Sequence, residues 1–150
     1  MEIQIRMDCP APGLDAQKIK VRAKRVLKDL ACHDKELSIL FTDDEHMAAL
    51  NRQYRGKEGA TDVLSFSMLE EPDGDLSPDF ESIMLGDVVI SVDTALRDAE
   101  ELEQPFEETV ERLMIHGILH LLGYDHEKSS LDAIRMREEE ERLIAQFEKP

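Results

Sequence analysis

Three histidines at fixed spacing constrain what this chain can fold into. His116 and His120 are four residues apart, so on a helix they leave one face, about 40° apart around the axis and about 6 Å along it. His126 follows beyond Gly123, and glycine suits the left-handed turn just past a helix end. Such a turn lets the chain fold back and bring a third imidazole close. Three imidazoles with one open position are typical of a catalytic zinc site.

The residues around the first two histidines predict a buried helix. Every other residue of 113–122 is apolar or glycine, and a helix that is apolar on all sides is normally buried. Buried imidazoles are costly unless a partner satisfies them, and a metal ion would do so. The alternative is a pair of core histidines bonded to backbone groups, with His126 an unrelated loop residue. The spacing of all three histidines, with a glycine at the turn, favours the metal.

The same spacing occurs in the metzincin signature H-E-x-x-H-x-x-G-x-x-H. Gly117 stands where that signature has glutamate, which is the general base of the peptidases. The sequence therefore predicts a retained metal cage without the usual base for peptide cleavage.

Length and composition predict a single domain over residues 1–150. Hydrophobic residues make up 41% of the chain, and no apolar run reaches membrane-spanning length, so no membrane partner is expected. The chain does not begin with a basic-then-apolar signal pattern, which favours a cytoplasmic location. Cys9 and Cys32 form no CxxC pair, and we interpret them as reduced thiols rather than metal ligands.

The net charge of −16 argues against a general nucleic-acid coat, and no DNA partner is expected. The charge is uneven: residues 1–60 hold 11 Lys/Arg and 10 Asp/Glu, whereas residues 61–150 hold 7 and 24. The first predicted helix carries a basic strip that includes Lys18, Arg22 and Arg25. A solvated helix face explains most such strips, but in so acidic a chain contact with phosphate groups is an equal alternative.

Hydrophobic periodicity predicts the order β-α-β-α-β-β-α-α-α. A capping box at Thr42–Glu45 is expected to begin the second helix. Pro105 is expected at the first position of the metal helix, and Ser129 is expected to cap the last helix. We interpret residues 70–81 as a loop and the Glu138–Glu141 run as a solvated face. The expected fold class is α+β. We expect a mixed four-stranded sheet whose third strand is antiparallel and lies on the edge nearest the metal. We also expect about five helices, one of which, the metal helix, is buried against the sheet.

Four sequence blocks resemble the YbeY endoribonuclease family of bacterial rRNA maturation factors. Residues 116–126 read HGILHLLGYDH, similar to the family signature HGxLHLxGYDH. The other blocks are LNRQYRG at 50–56, TDVLSF at 61–66 and LGDVVIS at 85–91. The family often has proline at the position of Ser67, where serine is expected to loosen the strand end without disabling the site.

This resemblance implies a zincin-like fold and a zinc-dependent, single-strand-specific endoribonuclease. It implies one Zn²⁺ per chain, bound by His116, His120 and His126, and an Arg55 that is needed for activity. The implied role is rRNA maturation at the 16S 3′ end and ribosome quality control. Single-stranded rRNA and small-subunit components are therefore the expected partners.

The chemistry of the site favours metal-assisted phosphodiester hydrolysis, with His116 and Arg55 as catalytic residues. Arg55 could hold a phosphate in two places, which lysine does less well. With Gly117 in place of glutamate, proton transfer must fall to another group. Candidates are Asp125, which could instead orient a ligand histidine, and Asp62 or Asp87. Whether metal-bound water or the ribose 2′-hydroxyl attacks is left open. The alternatives are a zincin-type metallopeptidase and a non-catalytic assembly factor stabilised by zinc.

Overall fold

A computed structural model describes residues 3–32, 34–67, 84–124 and 129–147. The strands are β1 (Ile3–Met7), β2 (Glu36–Thr42), β3 (Val63–Ser67) and β4 (Met84–Ser91). The helices are α1 (Ala16–Asp29), α2 (Asp44–Arg55), α3 (Val92–Glu101), α4 (Phe106–Leu121) and α5 (Ser130–Phe147). The predicted order of elements is confirmed. The predicted loop at 70–81 lies outside the described residues.

The four strands form one sheet in the order β1-β2-β4-β3. β1, β2 and β4 run parallel, and β3 pairs antiparallel with β4 at the edge of the sheet. The predicted α+β class, with a mixed four-stranded sheet, an antiparallel third strand on the edge and five helices, is therefore confirmed.

The two faces of the sheet carry cores of different size. The larger core lies between the sheet and helices α1, α3, α4 and α5, and its fully buried residues include Ile19, Val88, Ile90, Met114 and Ile118. The smaller core lies under α2 and contains Met47, Leu64 and Val89. Because side chains alternate along a strand, β3 places Val63 in the large core and Leu64 in the small one.

Helix α4 is buried against the sheet, as its apolar sequence predicts. Met114, Ile115, Ile118 and Leu119 are each 0% exposed. α4 packs against β3, β4 and the helices α3 and α5. Among the described residues, no helix is long and apolar enough to cross a membrane.

Two helix starts differ from the sequence prediction by one residue. Asp43, not Thr42, is the N-cap of α2, and its carboxylate accepts from the backbone N–H of His46. Thr42 remains in β2, where its hydroxyl bonds to the His46 ring at 2.9 Å. Pro105 is the N-cap of α4 rather than its first helical residue. The predicted cap of α5 is confirmed, because Ser129 Oγ accepts from the N–H of Asp132 at 3.1 Å.

Candidate metal centre

Helix α4 brings His116 and His120 together on one face, as their spacing predicts. Their Nε2 atoms lie 3.1 Å apart, and their ring centroids 4.7 Å apart at 74° between planes. Two nitrogens on one tetrahedral zinc, at Zn–N distances of about 2.0–2.1 Å, would lie about 3.3 Å apart. The pair therefore fits two coordination positions of a zinc-sized cation.

The turn after the metal helix has the geometry that the glycine predicts. Gly123 has φ +98°, in the left-handed region, and its N–H donates to the carbonyl oxygen of His120 at 3.0 Å. The N–H of Tyr124 donates to the carbonyl oxygen of Leu119 at 3.0 Å. These two bonds form a Schellman motif, which ends the helix and reverses the chain.

The third predicted ligand, His126, and the neighbouring Asp125 lie outside the described residues. Within the described part of the chain, no group of three histidine, cysteine or carboxylate side chains is placed to hold a metal ion. The described portion of the centre is thus the histidine pair and the groups that orient it.

Glu140 contacts helix α4, although the local sequence pattern predicts a solvated position for it. Its Oε1 lies 2.5 Å from Nδ1 of His116, and its side chain is 22% exposed. The interpretation of Glu138–Glu141 as a solvated face is therefore wrong for Glu140. The helical periodicity does indicate an inward position for Glu140, since it is four residues after the buried Met136 and three before the buried Leu143.

Helix α5 is fixed in position by polar contacts on both sides of Glu140. Arg112 of α4 donates to Glu141 at 3.2 Å. Arg142 pairs with Asp29 at the end of α1 at 2.7 Å and with Glu139 at 2.9 Å. Hydrogen bonds from Arg142 hold the pKa of the Asp29 and Glu139 carboxyls below their usual range. These contacts join α5 to α4 and to the end of α1 on either side of Glu140.

The position of the missing peptidase base is occupied by the sheet. A Cβ atom on Gly117 would lie 2.6 Å from Cγ1 of Val88 and 3.2 Å from Oγ of Ser65. Ser65 Oγ also donates to the carbonyl oxygen of Gly117 at 2.9 Å. Residue 117 therefore faces β3 and β4 at close range, and the structure leaves no room there for a glutamate side chain. The hydrogen bond ties the edge strand to the helix beside His116.

Arg55 lies across the edge strand from the histidines. It is the exposed last residue of α2, which packs on the small-core face of the sheet. The preceding Tyr54 makes an edge-to-face contact with Phe66 of β3, with centroids 5.2 Å apart. Phe66 and Ser65 point to opposite faces of β3, and Ser65 bonds to the metal helix. The helix that ends at Arg55 thus packs beside the edge strand, on the face of the sheet opposite to α4.

Asp62 and Asp87 lie away from the histidine face. The carbonyl oxygen of Asp62 accepts from the N–H of Ser91, where β4 meets α3. Burial raises the pKa of Asp98 on α3, and the negative charge of Asp62 raises it further. Asp87 pairs with Phe66 across the strands and so shares its face of the sheet, opposite to α4. The structure does not bring either aspartate to the histidine pair.

Three residues of the basic strip on α1 are engaged within the molecule. Lys18 Nζ lies 2.5 Å from Glu107 of α4. Arg22, with 19% of its side chain exposed, forms ion pairs with Glu107 and Glu111. Arg25 donates to the backbone carbonyl of Gln146 at 2.9 Å. These contacts join α1 to α4 and α5, so the strip has a structural role that its sequence alone did not reveal.

The sequence comparisons with known proteins agree on one family. The sequence model for Endoribonuclease YbeY matches residues 9–148. Endoribonuclease YbeY of Syntrophotalea carbinolica is 46% identical over 137 residues, covering 87% of this chain and 89% of that protein. The Aquifex aeolicus protein of the same name is 46% identical over 132 residues, covering 88% and 83%. A solution structure from Thermotoga maritima, 24% identical, shares the fold with a TM-score of 0.65 and covers 95% of this chain and 86% of that one.

Proposed function

The chain belongs to the Endoribonuclease YbeY family, and on that premise we propose that it is a zinc-dependent, single-strand-specific endoribonuclease of 16S rRNA 3′-end maturation and ribosome quality control. Family membership makes the chain a nuclease that hydrolyses phosphodiester bonds in RNA. Zinc, the single-strand preference and the place in ribosome biogenesis are the proposed refinements. We also propose that residues 1–150 form one domain, which the large core supports because it includes both Ile3 and Ile144.

The observation that carries the proposal is the 3.1 Å separation of the Nε2 atoms of His116 and His120 on a buried helix. We propose that these two histidines and His126 hold one zinc ion per chain. A bound zinc ion would activate water near neutral pH and polarise a phosphoryl oxygen. The immediate environment of the pair is apolar helix and edge strand, which keeps the donors fixed before substrate arrives.

Arg55 supplies the positive charge that the acidic half of the chain lacks. Its exposed position at the end of α2 leaves the guanidinium available to substrate. A guanidinium binds two phosphate oxygens at once, so it can fix the orientation of the scissile group. We propose that Arg55 holds this phosphate as negative charge develops on it.

We propose that a carboxylate near the histidines transfers the proton. Asp62 and Asp87 lie away from the histidine face, so we retain Asp125, adjacent in sequence to His126, as the candidate. Lys18, Arg22 and Arg25 bond within the molecule, and the proposal does not use them as RNA contacts. We also propose that the protein acts in the cytoplasm and has small-subunit ribosomal components as partners.

The test is cleavage of a single-stranded fragment covering the 3′ end of 16S rRNA by zinc-loaded protein. The same fragment annealed to its complement, chelator-treated protein and His120→Ala are the controls. We expect cleavage of the single strand alone, and loss of it in both protein controls. Intact single-stranded RNA with zinc-loaded protein would contradict the proposal. Cleavage of casein abolished by chelation would instead support a peptidase, which the packing at Gly117 disfavours.

A further inference from the structure

We propose that Glu140 is a positioning residue of the metal centre, whose carboxylate holds His116 with Nδ1 protonated and Nε2 free to bind the metal. This inference rests on the proposed metal site and adds a residue to it. It begins from the 2.5 Å contact between Glu140 Oε1 and His116 Nδ1.

The two ring nitrogens of His116 contact different partners. Nδ1 lies against the Glu140 carboxylate, and Nε2 lies 3.1 Å from Nε2 of His120. An ionised carboxylate only accepts hydrogen bonds, so the contact requires the proton of a neutral imidazole on Nδ1. The lone pair is then on Nε2 and points towards His120. A carboxylate behind a ligand histidine is a recurrent arrangement in metal sites, because it fixes the tautomer and makes the ring a better donor.

Glu140 lies on the packed face of α5 and not on its solvent-exposed face. Glu140 shares its face of α5 with the buried residues Met136, Leu143 and Ile144. Its side chain is 22% exposed and that of His116 is 26% exposed, so water screens the contact only partly. The pairs Arg112–Glu141 and Arg142–Asp29 flank it. A group held this firmly can set the orientation of the ring it touches.

The competing explanation is that Glu140 only joins α5 to α4. The chain offers a matched control for this, because Glu141 also joins α5 to α4, through Arg112. Arg112 lies one turn before His116 on the same helix. Both glutamates thus connect the same two helices, and among the described residues it is Glu140 that contacts a histidine of the proposed centre.

The test compares zinc affinity in Glu140→Gln, Glu140→Ala and Glu141→Gln, measured by competition with a chromophoric zinc chelator. Removal of such an outer partner lowers metal affinity by about 10–100-fold. We expect a loss of that size in Glu140→Ala and a smaller one in Glu140→Gln, whose amide oxygen still accepts. Zinc affinity should be unchanged in Glu141→Gln. Thermal unfolding of all variants reports whether the helices remain packed, and the isosteric Glu140→Gln serves if Glu140→Ala fails to fold.

A second readout needs no metal. Long-range ¹⁵N–¹H correlation spectra of the metal-free protein identify which nitrogen of His116 is protonated. We expect the Nδ1–H form in the wild type and in Glu141→Gln, and a shift towards the Nε2–H form in Glu140→Ala.

Three outcomes would overturn the proposal: wild-type zinc affinity and tautomer in Glu140→Ala, an equal loss of zinc affinity in Glu141→Gln, or no zinc binding by the wild type. RNA is absent from both measurements. If zinc-loaded wild type fails to cleave RNA, the proposed function fails while the comparison of zinc affinities stands.

Discussion

Gly117 packs directly against Val88, so closely that a Cβ atom on the glycine would lie 2.6 Å from Cγ1 of the valine. Real side chains do not approach to this distance without movement, and Val88 is 0% exposed. The contact brings the metal helix close to the sheet at the turn that carries His116. It also makes residue 117 a packing position rather than a catalytic one.

We expect Gly117→Ala to destabilise the protein. Overpacking costs about 1–3 kcal/mol, and three contacts of 2.6–3.2 Å put this site in the upper part of that range, about 2–3 kcal/mol. Alanine offsets roughly 1 kcal/mol of this, because it is the better helix former. The net loss should be about 1–2 kcal/mol, seen in urea unfolding. The double variant Gly117→Ala/Val88→Ala is the control, and its cost should be less than the sum of the two single changes because the methyl group gains space. A Gly117→Ala protein as stable as the wild type would contradict the close packing.

His120→Ala should abolish stoichiometric zinc binding, because it removes one of three proposed ligands. Elemental analysis of purified protein measures this directly. His46→Ala is the matched control, since His46 lies on α2 and bonds to Thr42 instead. It should retain one zinc per chain. Full zinc content in His120→Ala would remove this histidine from the proposed centre.

Arg55→Ala should separate catalysis from folding. If Arg55 stabilises developing charge on the phosphate, its loss should lower RNA cleavage by about 100-fold or more. Stability should change by less than about 0.5 kcal/mol, since the side chain is exposed. Arg55→Lys should recover part of the activity, because a point charge replaces only part of a two-pronged contact.

Arg52→Ala is the matched control for that experiment. Arg52 is exposed on the same helix, one turn before Arg55. Cleavage kinetics and zinc content should both match the wild type. Equal activity of Arg55→Ala and Arg52→Ala would show that Arg55 is only a cation at a helix end.

Arg142 should make stability depend on pH. Its hydrogen bonds lower the pKa of Asp29 and Glu139 from their usual values of 3.8 and 4.5. A lowered pKa in the folded state adds stability above the usual value, and that stability is lost as pH falls through the folded pKa. The stability difference between wild type and Arg142→Met should therefore be full at neutral pH and shrink below about pH 4.

Urea unfolding at several pH values measures this difference, with Arg135→Met, an exposed arginine of the same helix, as the control. A difference that grows on acidification would contradict the assigned pairs. Because these pairs also position α5, Arg142→Met tests whether they help to hold Glu140 beside His116.

Periodicity predicted the elements because each element satisfies a local rule. The alternation Val63-Leu64-Ser65-Phe66 correctly predicted a strand with two different faces, and Gly123 correctly predicted the helix-ending turn. The antiparallel edge position of β3 was also predicted correctly, from its place after a long connection.

What the sequence did not reveal depends on contacts between distant residues. Glu140 meets His116 from 24 positions away, and the four-glutamate run around it hid its inward position. Thr42 and Asp43 can both cap a helix, and Asp43 is the N-cap because β2 continues through Thr42. Local patterns specify which face a residue occupies, while only the assembled fold specifies its partner.

The ion pairs of α1 have a consequence for how the enzyme responds to ionic strength. Lys18 and Arg22 are paired with Glu107 and Glu111, so these two cations neutralise two acids of residues 61–150 and leave most of the acidic surplus of that part of the chain uncompensated. Most RNA-binding proteins release counterions from phosphate and lose affinity steeply as salt rises. Here long-range repulsion opposes the approach of RNA, and salt screens it over about 8 Å at physiological strength. Cleavage at low substrate concentration should therefore stay level or accelerate as salt is added, with the enzyme relying on a few short-range contacts rather than on electrostatic attraction.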